Sequence, residues 1–461
     1  MRYINILALA LLASAQLSAQ ETLNIKQCRE MALQNNKQIN ASDKKIAIAD
    51  LQIKSMKGNF LPDISVMGNA HFSTMKGDLS DRIKIGDMTQ MLNTFLTMSG
   101  LPMTIPAPDL TYNLHQLYQA GVIVKQPIYM GGKITAGYKM YQLKKEALLA
   151  SHSLTESEVI VQTDDAYAKL VKASELEKVA KQYNELLLEL QRNVQSAVKH
   201  GMATQNDLLK VKVKLNESEL QMRKAQNGIR LATMNLCHYI GKPLTSEIKV
   251  VSEYPTVNYQ PNNTQDISAR PEYQMLSKKV EVAQQNVKLV RSELLPKVSV
   301  IGTANYFYGG EFSNKTILDN KALGGLVNVT IPIFHFGERI NKLKTAKLEY
   351  EQAQIEQNDL NEKMTLELAQ CANKLDEAKL EAELADKSLE QAAENMRMSK
   401  KSYDVGMETL SNYLEAQTLW QKAYETKVES YFQLYLNYIA YQKAQGTLTN
   451  YSLNKKNRGK T

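Results

Sequence analysis

The chain has 461 residues, which is enough for two or three ordinary domains or for one elongated domain. Only 11 prolines and 21 glycines interrupt it, so long helices are favoured over many short elements. The formal charge of +8 arises from 56 basic and 48 acidic residues that are interleaved along the chain, which is typical of solvated helix faces and argues against a nucleic-acid partner. The three cysteines are too few and too far apart for a disulfide framework.

The N-terminus predicts an export signal. Arg2 precedes an apolar run over residues 4–13, and small residues follow up to Ala19. The run is too short to cross a bilayer, so we assign residues 1–19 to a signal peptide that is removed. Cleavage is expected near Ala19–Gln20, with Ala13–Ala15 as the competing site. Since no later stretch reaches eighteen apolar residues, the mature chain is expected to lack a transmembrane helix.

Residues 20–59 are predicted to form N-terminal helices, and residues 60–129 a first β-hairpin with a long loop. Apolar residues recur at every second position in both arms of this hairpin, which indicates strands with one apolar and one more polar face. The apolar positions are Ile64, Val66, Gly68, Ala70, Phe72, Tyr118, Ala120, Val122 and Val124. The stretch between the two arms is rich in Met, Gly, Pro and Thr and is expected to be the loop.

Residues 130–240 are predicted to be a pair of long helices that reverse at a turn over residues 200–204. The first helix carries apolar residues at alternating spacings of four and three, which is the seam of a coiled coil. These residues are Leu176, Ala180, Tyr183, Leu187, Leu190, Val194 and Ala197. A helix from Gly132 to Lys199 would be about 100 Å long at 1.5 Å per residue, which indicates an elongated assembly rather than a globule.

The rest of the chain repeats this order. Residues 241–270 contain three prolines and are assigned to a linker, residues 271–294 to a short helix, and residues 295–336 to a second β-hairpin. Residues 337–446 form a second helix pair with a turn over residues 405–409, and residues 447–461 a basic tail that is expected to be disordered. The second seam comprises Leu368, Cys371, Leu375, Ala378, Ala382, Ala385, Leu389, Ala392 and Met396.

The two halves of the chain are copies of one another. Gly201 and Gly406 are 205 positions apart, and the same separation relates Pro127 to Pro332. The start of the hairpins matches at a separation of 234, as Pro62 and Pro296 show. The first copy therefore holds 29 additional residues between these matches, and they fall in the predicted loop.

Four strands with one apolar face form a sheet with two open edges. A bilayer does not tolerate open edges, and single-chain barrels begin at eight strands, so strands that cross a membrane must share a barrel with other copies. An exported chain without a transmembrane helix points to the outer membrane. The residues expected to face lipid are Ile64, Val66, Tyr118, Val122, Val124, Val298, Val300 and Val329.

The duplicated hairpins and the paired turns, HGMATQNDLL and VGMETLSNYL, resemble the TolC-type outer-membrane efflux protein family. The resemblance covers nearly all of the mature chain. It implies a mainly α fold with a β contribution, in which long antiparallel coiled-coil helices form a tunnel. It further implies a homotrimer with a 12-stranded outer-membrane barrel, four strands from each chain. The long loop would then be extracellular, the helices and their turns periplasmic, and the linker equatorial.

The resemblance also implies the functional residues. In the family the turns dock a periplasmic adaptor, which makes Gly201, Met202, Thr204, Gly406, Met407 and Thr409 the docking candidates; the alternative is a purely structural turn. The aperture residues of the family correspond to Asp207, Tyr403, Glu408, Asn412 and Glu415 of this chain, and not all of these positions keep the family's residue type. Asp207 and Tyr403 match the inter-helix pair that holds the closed state. Asn412 stands where an Asp is usual, Glu415 keeps the second acidic position, and Glu408 replaces a basic residue.

The expected function is that of the exit duct of a tripartite efflux or type I secretion system. The resemblance implies as partners a periplasmic adaptor, an inner-membrane pump of the resistance-nodulation-division or ABC type, and outer-membrane lipid. The sequence shows no cluster of acid, base and nucleophile and no metal-ligand spacing, so an enzyme, a cofactor or a metal site is not expected. The alternative is a periplasmic coiled-coil adaptor or scaffold without a membrane barrel.

Overall fold

The computed structural model describes residues 22–79, 84–100, 104–106, 108–251, 257 and 266–448. The predicted signal peptide lies outside these residues, as does the basic tail from residue 449 onward. The chain divides into two compact units. The helical unit draws on Met1–Ile48, Lys145–Lys279 and Gln354–Thr461, and the sheet unit on Ala49–Lys144 and Val280–Ala353.

The helices of the two copies have equal lengths. The two longest have 67 residues each, and the two helices that follow the Gly turns have 36 residues each. Along the described part of the chain, no helix is both long enough and apolar enough to span a membrane. The helices are α1 (Ile25–Asn35), α2 (Lys37–Gly58), α3 (Ile85–Met98), α4 (Lys133–Lys199), α5 (Gln205–Ile240), α6 (Pro271–Arg291), α7 (Glu338–Asp404) and α8 (Leu410–Gln445).

Short contacts join the segment predicted as a linker to the helices of the helical unit. Strand β1 (Thr22–Leu23) pairs in parallel with β5 (Lys249–Val250), which lies within the segment predicted as a linker. The helix α5 ends at Gly241 in the left-handed conformation, and a Cβ there would lie 2.5 Å from that of Asn35. The helix α8 ends at Gly446 in the same way, against Ala269 and Arg270. These two junctions obey the separations of 205 and 234, so the repeat extends to the helix ends.

The sheet unit contains an antiparallel sheet in the order β2-β4-β6-β7. Its strands are β2 (Asp63–Phe72), β4 (Thr111–Met130), β6 (Lys297–Phe312) and β7 (Lys315–Thr330), and β3 (Lys76–Asp78) extends the pairing on the β2 side of β4. The pairing of β4 with β6 joins the two hairpins into one sheet. Among the described residues, β2 and β7 are the edge strands and have no strand on their outer sides.

The register places the predicted lipid-facing residues on one face of the sheet. Ile64 lies opposite Val124, and Val66 opposite Val122. Val298 lies opposite Val329 and Tyr118 opposite Tyr308 on the same face. The other face carries amides that bond across strands, since Asn69 donates to Gln119 at 3.4 Å and Gln119 donates to Asn305 at 3.3 Å. The sheet therefore has an apolar face and a polar face, as the period of two predicted.

One expectation needs amendment. The stretch between β2 and β4 was expected to be an irregular loop, and it contains β3 and the 14-residue helix α3. Apolar residues of α3 recur at helical spacing, among them Met88, Met91, Leu92, Phe95 and Met98. The abundance of Met, Thr and Gly in this stretch favoured a loop, whereas the spacing of its apolar residues is the signal that identifies the helix.

Candidate functional site

The two turns of the helical unit have the same backbone geometry. Gly201 and Gly406 have φ angles of 72° and 77°, which a residue with a Cβ rarely adopts. The amide of Met202 donates to Ala197 O at 2.8 Å, and that of Met407 donates to Ser402 O at 2.8 Å. With the bonds from both glycine amides, these complete a Schellman motif at each helix end. Both methionines are exposed, so each turn presents a methionine side chain to solvent, and the second turn also exposes Val405.

Each turn passes into the next helix through a threonine cap. The Thr204 hydroxyl accepts from the Asp207 amide at 3.1 Å, and the Thr204 amide donates to Asp207 Oδ2 at 3.3 Å, which together form a capping box. The Thr204 hydroxyl also donates to Asp207 Oδ2 at 2.6 Å. Thr409 accepts from the amide of Asn412 at 3.2 Å. The hydrogen bond from Thr204 lowers the pKa of Asp207, and Lys210 at 3.6 Å adds to this shift. The docking candidates Thr204 and Thr409 therefore have a structural role whatever else they bind.

Tyr403 stacks on Tyr413 at the end of α7. Their ring centroids are 5.4 Å apart and their planes differ by 18°. Burial and the nearby charge of Asp207 raise the pKa of Tyr403. The side chains of Tyr403 and Asp207 are therefore neighbours. Within one chain, however, the hydrogen bonds of Asp207 go to Thr204. The inter-helix bond that the resemblance implies stays a prediction.

The remaining aperture candidates lie on α8 and just before it. Asn412 and Glu415 are exposed, and Glu408 is half-buried and accepts a hydrogen bond from the Ser399 hydroxyl at 2.7 Å. Glu415 lines a groove of about 550 Å³ between α5 and α8. The groove also presents Lys210 and Lys214, so the acidic position has basic neighbours that the sequence comparison of the two turns did not reveal.

A buried ion pair in the helical unit also escaped the sequence analysis. Arg29 on α1 donates through Nε to Asp164 on α4 at 2.8 Å and through Nη2 to its second oxygen at 2.5 Å. Burial alone would lower the pKa of the Arg29 guanidinium, but the hydrogen bonds and charge of Asp164 outweigh it, and the net direction is upward. The partners are 135 positions apart, and no local pattern links them.

The chain is similar to proteins of known class along most of its length. The family sequence profile described as "Outer membrane efflux protein" matches residues 28–242 and 265–447. The "Proteases secretion protein PrtF" of Dickeya chrysanthemi is 22% identical over 438 residues, which span 91% of this chain and 87% of PrtF.

Solved structures show the same fold. The CusC structure superposes with a TM-score of 0.75 at 14% identity and covers 91% of each chain. The CmeC channel of Campylobacter jejuni gives 0.73 at 18% identity, over 94% of this chain and 89% of CmeC. The VceC protein of Vibrio cholerae gives 0.72 at 15% identity, over 92% of this chain and 96% of VceC.

The sequence profile accounts for most of the chain, and the sheet with one apolar face and the paired long helices fit the same class. Outer-membrane location follows from the family. The chain belongs to the outer membrane efflux protein family and is an outer-membrane exit duct for efflux or type I secretion.

Proposed function

We propose that three copies of the chain form one duct, in which each contributes four strands to a 12-stranded barrel. The observation that carries this proposal is the sheet with one apolar face, whose edge strands β2 and β7 pair with no further strand in the described part of the chain. Unpaired backbone groups are not tolerated in hydrocarbon, so in a membrane β7 of one copy must pair with β2 of the next.

Exposed apolar residues on α5 and α7 support contact between copies. Leu209, Val213 and Leu220 are exposed on α5, and Leu380, Leu384 and Met398 are exposed on α7. The opposite sides of these helices already pack in the helical unit: Val211 and Leu215 of α5 belong to one buried cluster, and Leu375 of α7 to another. Water-exposed stripes of this kind mark surfaces that another chain covers.

The helices would then extend into the periplasm and end at the Gly201 and Gly406 turns. A periplasmic adaptor would dock there, on the exposed Met202 and Met407, and link the duct to an inner-membrane pump. Methionine side chains suit such a surface because they are flexible and polarisable. The name of PrtF refers to protease secretion, which favours an ABC-type pump over a resistance-nodulation-division pump.

The aperture would lie near the same turns. Three copies of Glu415 around one axis would concentrate cations, since a narrow low-dielectric passage focuses the field of like charges. The repulsion among them has to be offset for the passage to close, and bonding between Asp207 and Tyr403 of neighbouring helices would do so. Asn412 leaves the other family charge ring neutral.

The oligomer is tested by native mass measurement of the full chain in detergent, followed by conductance measurements in a planar bilayer. We expect a trimer that conducts. A stable monomer, or a protein that carbonate or urea washes from the membrane, would instead support the adaptor or scaffold alternative. The pump is tested by purifying the tagged chain after cross-linking in cells, which should recover one pump type with its adaptor.

A further inference from the structure

The helix α3 has no counterpart in the second copy. It lies in the stretch between β2 and β4 that carries the 29 additional residues of the first copy. The second copy joins its strands β6 and β7 through a turn at Ser313 and Asn314 instead. The duplication of the fold therefore supplies no reason for this helix, and its own residues have to explain it.

The apolar face of α3 is turned away from the rest of the chain. Five large apolar side chains are exposed, from 46% for Leu92 to 84% for Met98. The half-buried positions lie on another side of the helix, at Thr89, Asn93 and Leu96. The exposed residues are Met88, Met91, Leu92, Phe95 and Met98. The described part of the chain thus leaves this face of the helix uncovered.

Hydrogen bonds fix this orientation of α3. The side chain of Asn93 donates to Ile105 O at 2.8 Å and accepts from the Ile105 amide at 2.7 Å. These two bonds tie the polar side of the helix to the segment that follows it, so the apolar side is held facing outward. A contiguous apolar face exposed in this way marks a surface that another molecule covers.

The width of the apolar face indicates how many helices cover it. With roughly 3.6 residues per turn, the five exposed side chains span about 120° of the helix circumference. A contact between two helices uses a narrower stripe, whereas a helix that faces the core of a bundle carries a wider face of this kind. Met88, Met91, Phe95 and Met98 are also spaced by three, four and three, as in a coiled-coil seam. The face therefore suits a bundle in which each helix packs against two others.

The charges of α3 argue against a lipid surface as the covering molecule. Helices that lie on a membrane carry Lys and Arg on their polar faces, which attract anionic headgroups. The polar residues of α3 are neutral except for Asp87, whose charge has the opposite sign. Lys84, directly before the helix, and Asp87 are both exposed. In parallel copies of the helix, Lys84 of one copy can pair with Asp87 of the next.

The connectivity of α3 also points to a second copy of the chain. The strand before it, β3, pairs with β4 on the same side as β2. In the proposed barrel the next copy joins the sheet on that side, through its strand β7. The helix therefore follows a strand at the junction between copies, and the symmetry of the proposed trimer places three such helices around one axis.

The connecting segments are long enough for the three helices to meet. A barrel of twelve strands that lie about 4.8 Å apart and tilt by about 40° has a radius of about 12 Å. Six residues separate β3 from α3, and twelve separate α3 from β4. Since even six extended residues reach about 20 Å, both segments exceed that radius.

We propose that the α3 helices of three copies pack against each other as a parallel bundle at the loop end of the barrel. Met88, Met91, Phe95 and Met98 form its core, with Leu92 beside them. The bundle joins the copies at a second place, independent of the pairing between edge strands. This inference rests on the proposed trimer.

Cysteine cross-linking in intact cells tests the bundle. Met91→Cys places a thiol on the apolar face, and Gln90→Cys, on the exposed polar side, is the matched control. The three native cysteines are buried or half-buried, and the unaltered chain measures their reaction. With a short bismaleimide, we expect at least half of Met91→Cys to run as a cross-linked dimer in denaturing gels. Gln90→Cys should run as a monomer.

A second substitution tests the packing itself. Phe95→Glu in the Met91→Cys chain places three carboxylates in the core of the bundle, where they are costly to bury, so cross-linking should fall fivefold or more. Thr97→Glu, on the polar side of α3, should leave cross-linking unchanged. Undiminished cross-linking in the Phe95→Glu chain would show that the apolar faces do not pack and would overturn the proposal.

Native mass measurement of the Met91→Cys chain separates this inference from the proposed function. A trimer in which Met91→Cys is not cross-linked refutes the bundle and leaves the duct intact. A monomer refutes the duct and the bundle together. A cross-linked particle heavier than one trimer shows contact between ducts, which also refutes the bundle, whereas cross-links confined to single trimers support it.

Discussion

Thr204 and Thr409 perform the same task with different partners. Thr204 is bonded to a carboxylate, Asp207, and Thr409 to the backbone amide of a neutral residue, Asn412. The hydroxyl bond that lowers the pKa of Asp207 stabilises α5 above about pH 3.9, the value in an unfolded chain. That stabilisation is lost as the pH falls through the depressed folded pKa, so one turn is acid-sensitive and its copy is not.

We predict that Thr204→Ala weakens the first turn of α5 by about 1 kcal/mol at pH 7. The loss should shrink below pH 3.5, because protonated Asp207 is a poorer cap partner. Thr409→Ala should cost about as much, since both threonines are N-caps, but without this dependence on pH. Hydrogen-exchange protection factors for the two turns at pH 7 and pH 3 measure both effects. Equal pH dependence in the two variants would contradict the assignment.

The Arg29–Asp164 pair gives a second prediction. Asp164 is fully buried, so Asp164→Ala removes the carboxylate that balances the charge of the largely buried Arg29 guanidinium. Removing one member of a buried pair costs about 3–5 kcal/mol, whereas replacing both by apolar residues of similar size is often neutral. We expect a large loss of stability in Asp164→Ala and recovery in Arg29→Met with Asp164→Leu, measured by urea unfolding in detergent. Equal losses of stability in the two variants would show that the cost does not come from the uncompensated charge of Arg29.

The turns and seams of the helices could be predicted because their signals are local. Glycine at a left-handed position and apolar residues spaced by four and three leave a mark within a few residues. The seam side chains from Leu187 to Val194 and from Leu375 to Ala392 are buried or half-buried, as that spacing indicated. The Arg29–Asp164 pair and the Tyr403–Tyr413 stack could not be predicted, since folding alone brings their partners together.

The sequence predicted the four strands, the residues on their apolar and polar faces, and the two open edges of the sheet that they form. The apolar face carries a third prediction: Val300→Arg should cost about 2–4 kcal/mol if Val300 lies near the middle of the membrane. Thr303→Arg, on the polar face of the same strand, is the control and should be tolerated. The yield of heat-resistant trimer in outer membranes measures both variants. Normal assembly of Val300→Arg would mean that the faces are reversed.

The helical turns carry a fourth prediction. A Cβ at Gly406 would meet open space, so the cost of substitution comes from the φ angle alone. Gly406→Asn should keep the turn, because asparagine tolerates the left-handed region, whereas Gly406→Val should distort it. We expect Gly406→Val to abolish export while the trimer remains in the membrane.

Gly406→Asn is the matched comparison for Gly406→Val and should retain export. Met407→Glu distinguishes the loss of an adaptor contact from a change in the backbone of the turn. If Met407 contacts an adaptor, Met407→Glu should reduce export and adaptor cross-linking although the turn is unchanged. Full export by both Gly406→Val and Met407→Glu, at normal expression, would show that adaptor docking lies elsewhere.

The assembled duct carries a fifth prediction, which concerns ions. Glu415→Gln should weaken cation selectivity and block by multivalent cations, because it would remove three charges around the axis of the proposed trimer. Tyr403→Phe should raise the conductance if its hydroxyl bonds to Asp207, and it keeps the ring that stacks on Tyr413. Both are measured on single channels in planar bilayers.

Glu408→Gln is the comparison for Glu415→Gln: Glu408 is a second acidic aperture candidate, but it accepts a hydrogen bond from Ser399 and should contribute less to selectivity. Selectivity that survives Glu415→Gln would show that Glu415 does not line the constriction. A conductance unchanged in Tyr403→Phe would show that the hydroxyl has no part in closure.

The equal lengths of the helices, 67 and 36 residues in each copy, constrain how such a chain can change during evolution. Deleting one residue from α4 turns every later side chain by about 100° and shortens the helix by about 1.5 Å, which breaks the seam. A tolerated deletion therefore removes about seven residues, and the antiparallel partner has to lose as many. The helix pair of the other copy must lose the same number of residues, because otherwise the two turns would end at different heights. Shorter or taller relatives should thus differ by matched heptads in all four long helices, inherited together.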